Sequence, residues 1–326
     1  MKRCKPNEPC WCGSGRKYKK CHLAHDVMAS LRGDEVPVSQ GLRPGQISPR
    51  RPVPATIPAP SYALDGRPPR KQLGTLYKPP EQIAAMRAAC AIARRILDEV
   101  CAAVAVGVTT DSLDALAHAR CLELGVYPSP LNYSGFPKSI CTSINEVICH
   151  GIPDDRPLAD GDIVNVDVTV FHQGMHGDCS RTVAVGTIDQ ASQQLIAVTE
   201  QALAAGIQAV VPGAPVSAIG AAIEQVVRPY GYGVVRDFVG HGIGEVFHMD
   251  PQVPHYHDRR ASFILRPGMT FTIEPMINQG DHRHRLWSDN WTAVTVDGRR
   301  SAQCEHTVLV TDNGVEVLTA APDAGP

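Results

Sequence analysis

Asn165-Val166-Asp167-Val168-Thr169-Val170 is the stretch whose reading decides the fold. Apolar side chains fill every even position, so the segment is an alternating β-strand whose odd face carries Asn165, Asp167 and Thr169. A polar loop, His172-Gln173-Gly174-Met175-His176-Gly177, returns the chain into Asp178-Cys179-Ser180-Arg181-Thr182-Val183-Ala184-Val185. A hairpin centred between residues 172 and 173 sets Asp167 opposite Asp178, with Cβ atoms about 4.5–5.5 Å apart. Like charges that close destabilise a sheet unless something positive sits between them.

Two further strands repeat the device. Phe271-Thr272-Ile273-Glu274 puts Glu274 on the polar face of an apolar run, and Cys304-Glu305-His306-Thr307-Val308-Leu309-Val310 is nearly all apolar around Glu305. Four bare carboxylates on interior strands would cost on the order of several kcal/mol each. Two divalent cations would cancel the four charges and leave room for a bridging hydroxide. His241, in Gly240-His241-Gly242-Ile243-Gly244, adds an imidazole on a glycine-rich turn. A mixed carboxylate–histidine set favours Mn²⁺, Fe²⁺, Co²⁺ or Zn²⁺ over Ca²⁺. Those glycines have neither GxGxxG nor P-loop spacing, which argues against a nucleotide loop.

Outward from the strands, the spacing predicts a helix from Glu81 through Val104, a break at Gly107, and a second helix with Asp111 near its start. Residues 193–230 do the same: a helix from Gln193, a break at Val211-Pro212-Gly213, and a second helix capped by Ser217. Gly107, Leu113 and Ala115 match Gly213, Ile219 and Ala221, and the run from Leu158 to Asp167 parallels Leu265 to Glu274. These matches at nearly one offset predict an internal duplication, each half contributing a carboxylate at an equivalent point.

The 326 residues suffice for a sizeable core, and 43% hydrophobic with 20% charged residues is ordinary for a globular chain, not a fibrous or disordered one. No window approaches eighteen unbroken apolar residues, and the start, Met1-Lys2-Arg3-Cys4-Lys5-Pro6, has no apolar run behind its charges. Neither a membrane span nor an export signal is expected, which implies a cytoplasmic location. The net charge of -2 hides an asymmetry: residues 1–80 hold 15 Lys and Arg against 5 Asp and Glu, and residues 81–326 hold 16 against 28. A basic arm on an acidic body suits a polyanionic partner, RNA above all. Residues 36–80, rich in proline and arginine, read as a linker of polyproline II stretches.

Eleven cysteines without an export signal point to thiols and metal ligands. Residues 1–35 are too short to build a core, yet Cys10, Cys12, Cys21 and His22 suit a closed tetrahedral Zn²⁺ site whose binding energy would fold the unit, with Cys4 and His25 as spare candidates. The segment resembles the SEC-C zinc knuckle.

The blocks from Gly135 to Pro153, the Asp167/Asp178 pair, Gly240 to Gly244, Thr272-Ile273-Glu274-Pro275-Met276 and Ala302-Gln303-Cys304-Glu305-His306-Thr307 together resemble the type I methionine aminopeptidases, over residues 80–320. The resemblance implies the pita-bread α/β fold of residues 81–326, two pseudo-twofold halves around a dinuclear metal site. It implies that Asp167 chelates one metal, that His241 and Glu274 hold the other, and that Asp178 and Glu305 bridge both. Glu274 would accept the proton of the attacking water, and His248 and His150 would contact the substrate amide. Tyr133, Phe136, Cys141, Phe247 and Trp291 match the wall of the methionine pocket. The implied reaction removes the initiator Met from nascent chains when the second residue is small. The basic arm is expected to dock this monomeric enzyme on the ribosome, so that deleting residues 1–80 leaves peptide cleavage intact. The alternatives are an Xaa-Pro aminopeptidase of the same fold and a non-catalytic ribosome- or RNA-binding relative.

Overall fold

A computed structural model of the chain describes residues 41–70 and 74–321, together with Asn7, residues 17–20 and Leu23. The expected knuckle ligands Cys10, Cys12, Cys21 and His22, like Cys4 and His25, lie outside the described residues. From Pro80 the chain runs as helices α1 (Pro80–Ala102) and α2 (Thr110–Glu123), then strands β1 (Tyr127–Pro128), β2 (Cys141–Ile144), β3 (Val147–Cys149), β4 (Ile163–His172) and β5 (Met175–Ala184). Helices α3 (Gln190–Gln208) and α4 (Ser217–Val227) follow. Strands β6 (Gly233–Val234), β7 (Gly240–Gly242), β8 (Met249–Val253), β9 (Thr270–Ile273), β10 (Met276–Asn278), β11 (His284–Leu286), β12 (Ala293–Thr295), β13 (Ser301–Val310) and β14 (Val315–Val317) complete it.

Each helix starts for a local reason. Pro80 opens α1, where its missing N–H and fixed φ do no harm. Thr109 caps α2 by accepting from the Ser112 amide. Helix α3 begins three residues before the expected Gln193, because Asp189 accepts from the Ser192 amide at 2.7 Å. Ser217 is not the cap of α4: it is the first helical residue, behind Val216, whose side chain has nothing to offer the amides.

The strands form an antiparallel sheet of 11 strands with the path β1-β4-β5-β13-β9-β7-β8, and a second sheet orders β11-β12-β3. The even positions of β4, Val164, Val166, Val168 and Val170, pack with Ile96, Val100, Leu113 and Ala117 of α1 and α2. Helices α3 and α4 cover the other half, where Leu195, Val198, Ile219 and Ile223 meet Phe271, Ile273 and Val308. One pair of helices therefore buries each half of the sheet, and the opposite polar face is left to the chemistry.

The duplication is visible in the backbone. Gly107 and Gly213 both have positive φ, +85° and +89°, and their amides donate to Leu158 O and Leu265 O at 2.8 Å in each case. Gly161 and Gly268, at +92° and +87°, repeat the match one step on, donating to Val185 O and Val310 O.

The hairpin register differs from expectation. The turn is the two-residue Gln173-Gly174, both at positive φ, so Asp178 lies opposite Thr169 and Asp167 opposite Ser180. Left-handed backbone at both turn residues matches the twist of the strands, which moves the centre of the hairpin one residue along. The two aspartates become diagonal neighbours on one face. The shared face, which the chemistry needs, survives.

Residues 41–70 form no strand or α-helix, turning at residues 55–57 and again around the short helical turn Ser61–Ala63, and they are seated on the body. Gly45 N donates to Asp154 at 2.8 Å, Ser48 Oγ to Asp111 at 2.7 Å, and the Arg51 guanidinium bridges Asp111 and Asp114.

Candidate active site

The polar face of the sheet gathers the expected carboxylates. Asp178 from β5, His241 from β7 and Glu305 from β13 have ligand atoms within 4.8 Å of one another, and all three are buried. His241 Nε2 stands 3.8 Å from Asp178 Oδ2 and 3.6 Å from Glu274 Oε1. Asp167 and Glu274 lie beside this group and keep partial exposure.

Electrostatics binds the five into one cluster. Burial, then the charge of Asp167, pushes Asp178 well above the usual carboxylate range. Glu305 is pushed well up by burial, then by Asp178, Glu274 and Asp167. Burial lifts Asp167 to about 7, and burial with repulsion from Asp167 lifts Glu274 to about 8, against the pull of the Thr272 hydroxyl. Such shifts mark a site built for positive charge.

The surrounding hydrogen bonds hold ligand geometry. The Gly242 carbonyl, 3.1 Å from His241 Nδ1, can only accept, so Nδ1 carries a proton, and in the neutral imidazole Nε2 is the nitrogen left to offer a lone pair on the carboxylate side. A neutral imidazole and buried carboxylates converging within 4.8 Å are the donor set a divalent metal takes, so the residues present fit such an ion. Thr272 Oγ1 donates to Glu274 Oε1 at 2.8 Å and accepts from His241 N at 3.0 Å, fixing two of the five at once. Gln303 Nε2 donates to the other Glu274 oxygen, and Thr169 Oγ1 to Asp178 Oδ1 at 2.7 Å. His255, fully buried, accepts from the Glu274 amide at 3.0 Å. A Cβ on Gly242 would stand 2.0 Å from Asp250 O, so only glycine lets β7 come close enough to deliver His241.

The expected pocket residues fall into two walls. On one, the Tyr133 ring packs 5.0 Å from Phe247 and 4.9 Å from His248, and His248 lies 4.2 Å from the His241 ring. On the other, Phe136 meets Trp291 at 5.1 Å, and His150 lies 6.0 Å from Trp291. His150 holds a left-handed backbone at φ +56°, and burial pushes its pKa down to about 4. Cys141 of β2 is paired in register with Asp167 of β4.

Sequence reasoning missed Thr272, Gln303 and Thr169 as supports, although each lies within two residues of a candidate ligand. It also missed His255, Tyr62 and Phe238, whose ring meets His150 edge-on at 5.4 Å. His176, read as part of a polar loop, belongs to β5, is buried, and stacks on Phe247 at 5.3 Å.

Metallopeptidase family M24 matches residues 84–312, and the SEC-C motif matches residues 7–24. The chain is 52% identical to methionine aminopeptidase 1A of Arabidopsis thaliana over 86% of this chain and 72% of that one. It is 49% identical to methionine aminopeptidase 2 of Mycobacterium tuberculosis, over 87% and 99%. Methionine aminopeptidase from Rickettsia prowazekii superposes with a TM-score of 0.73 at 46% identity, over 75% of this chain and 99% of that one. With its carboxylate–histidine cluster, its two matched halves and these relatives, the chain belongs to metallopeptidase family M24, among the methionine aminopeptidases.

Proposed function

We propose that the enzyme removes N-terminal methionine from polypeptides whose second residue is small. The observation that carries the reading is the buried group of Asp178, His241 and Glu305, with Asp167 and Glu274 beside it and the rings of His248, Tyr133 and Phe247 packed next to His241. Asp167, Asp178, His241, Glu274 and Glu305 would hold two divalent ions of Mn, Fe, Co or Zn type. Bound there, they would supply Lewis acidity and an acidified water.

The protein's own groups do the rest. Glu274 takes the proton of the attacking water, and the bonds from Thr272 and Gln303 keep its carboxylate aimed while it does so. His150, kept neutral by burial, and His248 orient the scissile amide by hydrogen bonding. Tyr133, Phe136, Phe247, Trp291 and Cys141 enclose an unbranched thioether side chain, which aromatic edges and sulfur favour. These contacts suit a long side chain at the first residue, and the Xaa-Pro alternative, which turns on proline at the second, is separated from this reading by the peptide set below.

The N-terminal segment supports two further proposals. Cys10, Cys12, Cys21 and His22 hold a structural zinc, and the basic arm brings the enzyme to ribosomal RNA in the cytoplasm, where nascent N-termini emerge. Release of free Met from Met-Ala-Ser, with Met-Leu-Ser and Xaa-Pro peptides alongside and chelator as control, tests the activity. Cleavage of Met-Ala-Ser alone, lost with chelator, is the expected result. Preference for Xaa-Pro peptides would overturn the reading.

A further inference from the structure

The segment before the catalytic body reaches the pocket. Tyr62 lies among its prolines, yet it is 1% exposed and its hydroxyl donates to Ser129 O at 2.7 Å. Its ring meets Tyr133 edge-on, at 5.0 Å and 89°, and lies nearly parallel to His176 at 6.2 Å. Tyr133 and His176 in turn both pack on Phe247, and Tyr133 also packs on His248. An unbroken chain of rings therefore runs from Tyr62 to the pocket wall.

The loop that presents Tyr133 needs such support. Asn132 and Ser134, on either side of it, both sit at positive φ, +65° and +47°, a conformation that persists only where the surroundings hold it. The strap supplies the hold: Asn132 Nδ2 donates to Ala63 O at 2.8 Å. Further along the same loop, Lys138, 1% exposed, donates to Ser48 Oγ at 2.6 Å, and the His118 imidazole, which also bonds Ser139 Oγ, donates to Pro52 O at 3.0 Å. Strap residues thus grip the pocket loop at both ends.

We infer that residues 41–70 are a working part of the methionine pocket, and that Tyr62 is a positioning residue which sets Tyr133 and, through it, Phe247. The inference rests on the proposed role of Tyr133 as pocket wall. It also moves the boundary of the catalytic unit: a deletion through residue 80, silent if the segment were a free linker, strips this support, whereas one ending at residue 40 spares it.

The test uses the full-length, metal-loaded enzyme and Met-Ala-Ser. For Tyr62→Ala we expect KM to rise about tenfold, the loss of one well-placed aromatic contact, with kcat within about threefold of the parent. Tyr62→Phe keeps the ring and should recover most of the KM. Where Tyr62→Ala does not fold, Tyr62→Leu fills the space without an aromatic edge and is read in the same way. KM within twofold of the parent in the folded variant, or a fall in kcat alone, overturns the inference. Failure of the parent enzyme to release Met would instead overturn the aminopeptidase reading itself.

Discussion

Replacing Asp167 with asparagine should make the metal-free protein more stable while it abolishes catalysis. Burial lifts the Asp167 carboxyl from 3.8 to about 7. A group whose folded pKa is raised favours the folded state below its unfolded pKa and loses that contribution as pH rises through the folded value. In the metal-free protein the strain from this carboxylate therefore grows from pH 4 to pH 7 and is fully present at pH 8. A carboxyl raised this far costs about 4 kcal/mol at pH 8, falling to about 2 kcal/mol at pH 5, where the buried acid is protonated. The neutral amide of Asp167→Asn carries no such strain. Urea unfolding in chelator at pH 8 and pH 5 measures both values, and Met release in added Mn²⁺ measures the lost activity. A variant less stable than the parent at pH 8 in chelator, or a difference independent of pH, would refute the argument that burial strains this carboxylate in the metal-free protein.

Three other outcomes follow from the same geometry. Thr272→Val removes the donor to Glu274 and the acceptor for the His241 amide, so kcat/KM on Met-Ala-Ser should fall about tenfold or more. Gly242→Ala drives a Cβ against Asp250 O, and urea unfolding should show a loss of about 1–3 kcal/mol with cleavage nearly abolished as His241 shifts. The Lys78 side chain is fully buried beside Glu245, and burial lowers its pKa from 10.5 to about 8, so its charged form is penalised below pH 8 and relieved as pH rises towards 10.5. Raising pH from 7.5 to 9.5 should therefore stabilise the parent by about 2 kcal/mol relative to Lys78→Met in paired urea titrations.

Much of the site was legible because β-strands print their two faces into the sequence. The alternation across Asn165–Val170 placed Asp167 on a polar face, and the repeated Gly-turn pattern exposed the second half. What alternation does not carry is register, which the left-handed pair Gln173-Gly174 decides through turn geometry. Tyr62 was illegible for another reason. Irregular chain has no period, and the partners Ser129 and Tyr133 lie about seventy residues away, so nothing local marks Tyr62 as buried. His255 likewise takes its place through one contact, the backbone amide of Glu274, nineteen residues along.

The most direct test of the central claim is a Mn²⁺ titration of chelator-stripped enzyme with Met release from Met-Ala-Ser as readout, run beside Glu305→Gln. The account predicts no cleavage before addition, saturable restoration in the parent, and none in the variant. Undiminished cleavage by the stripped parent would contradict it.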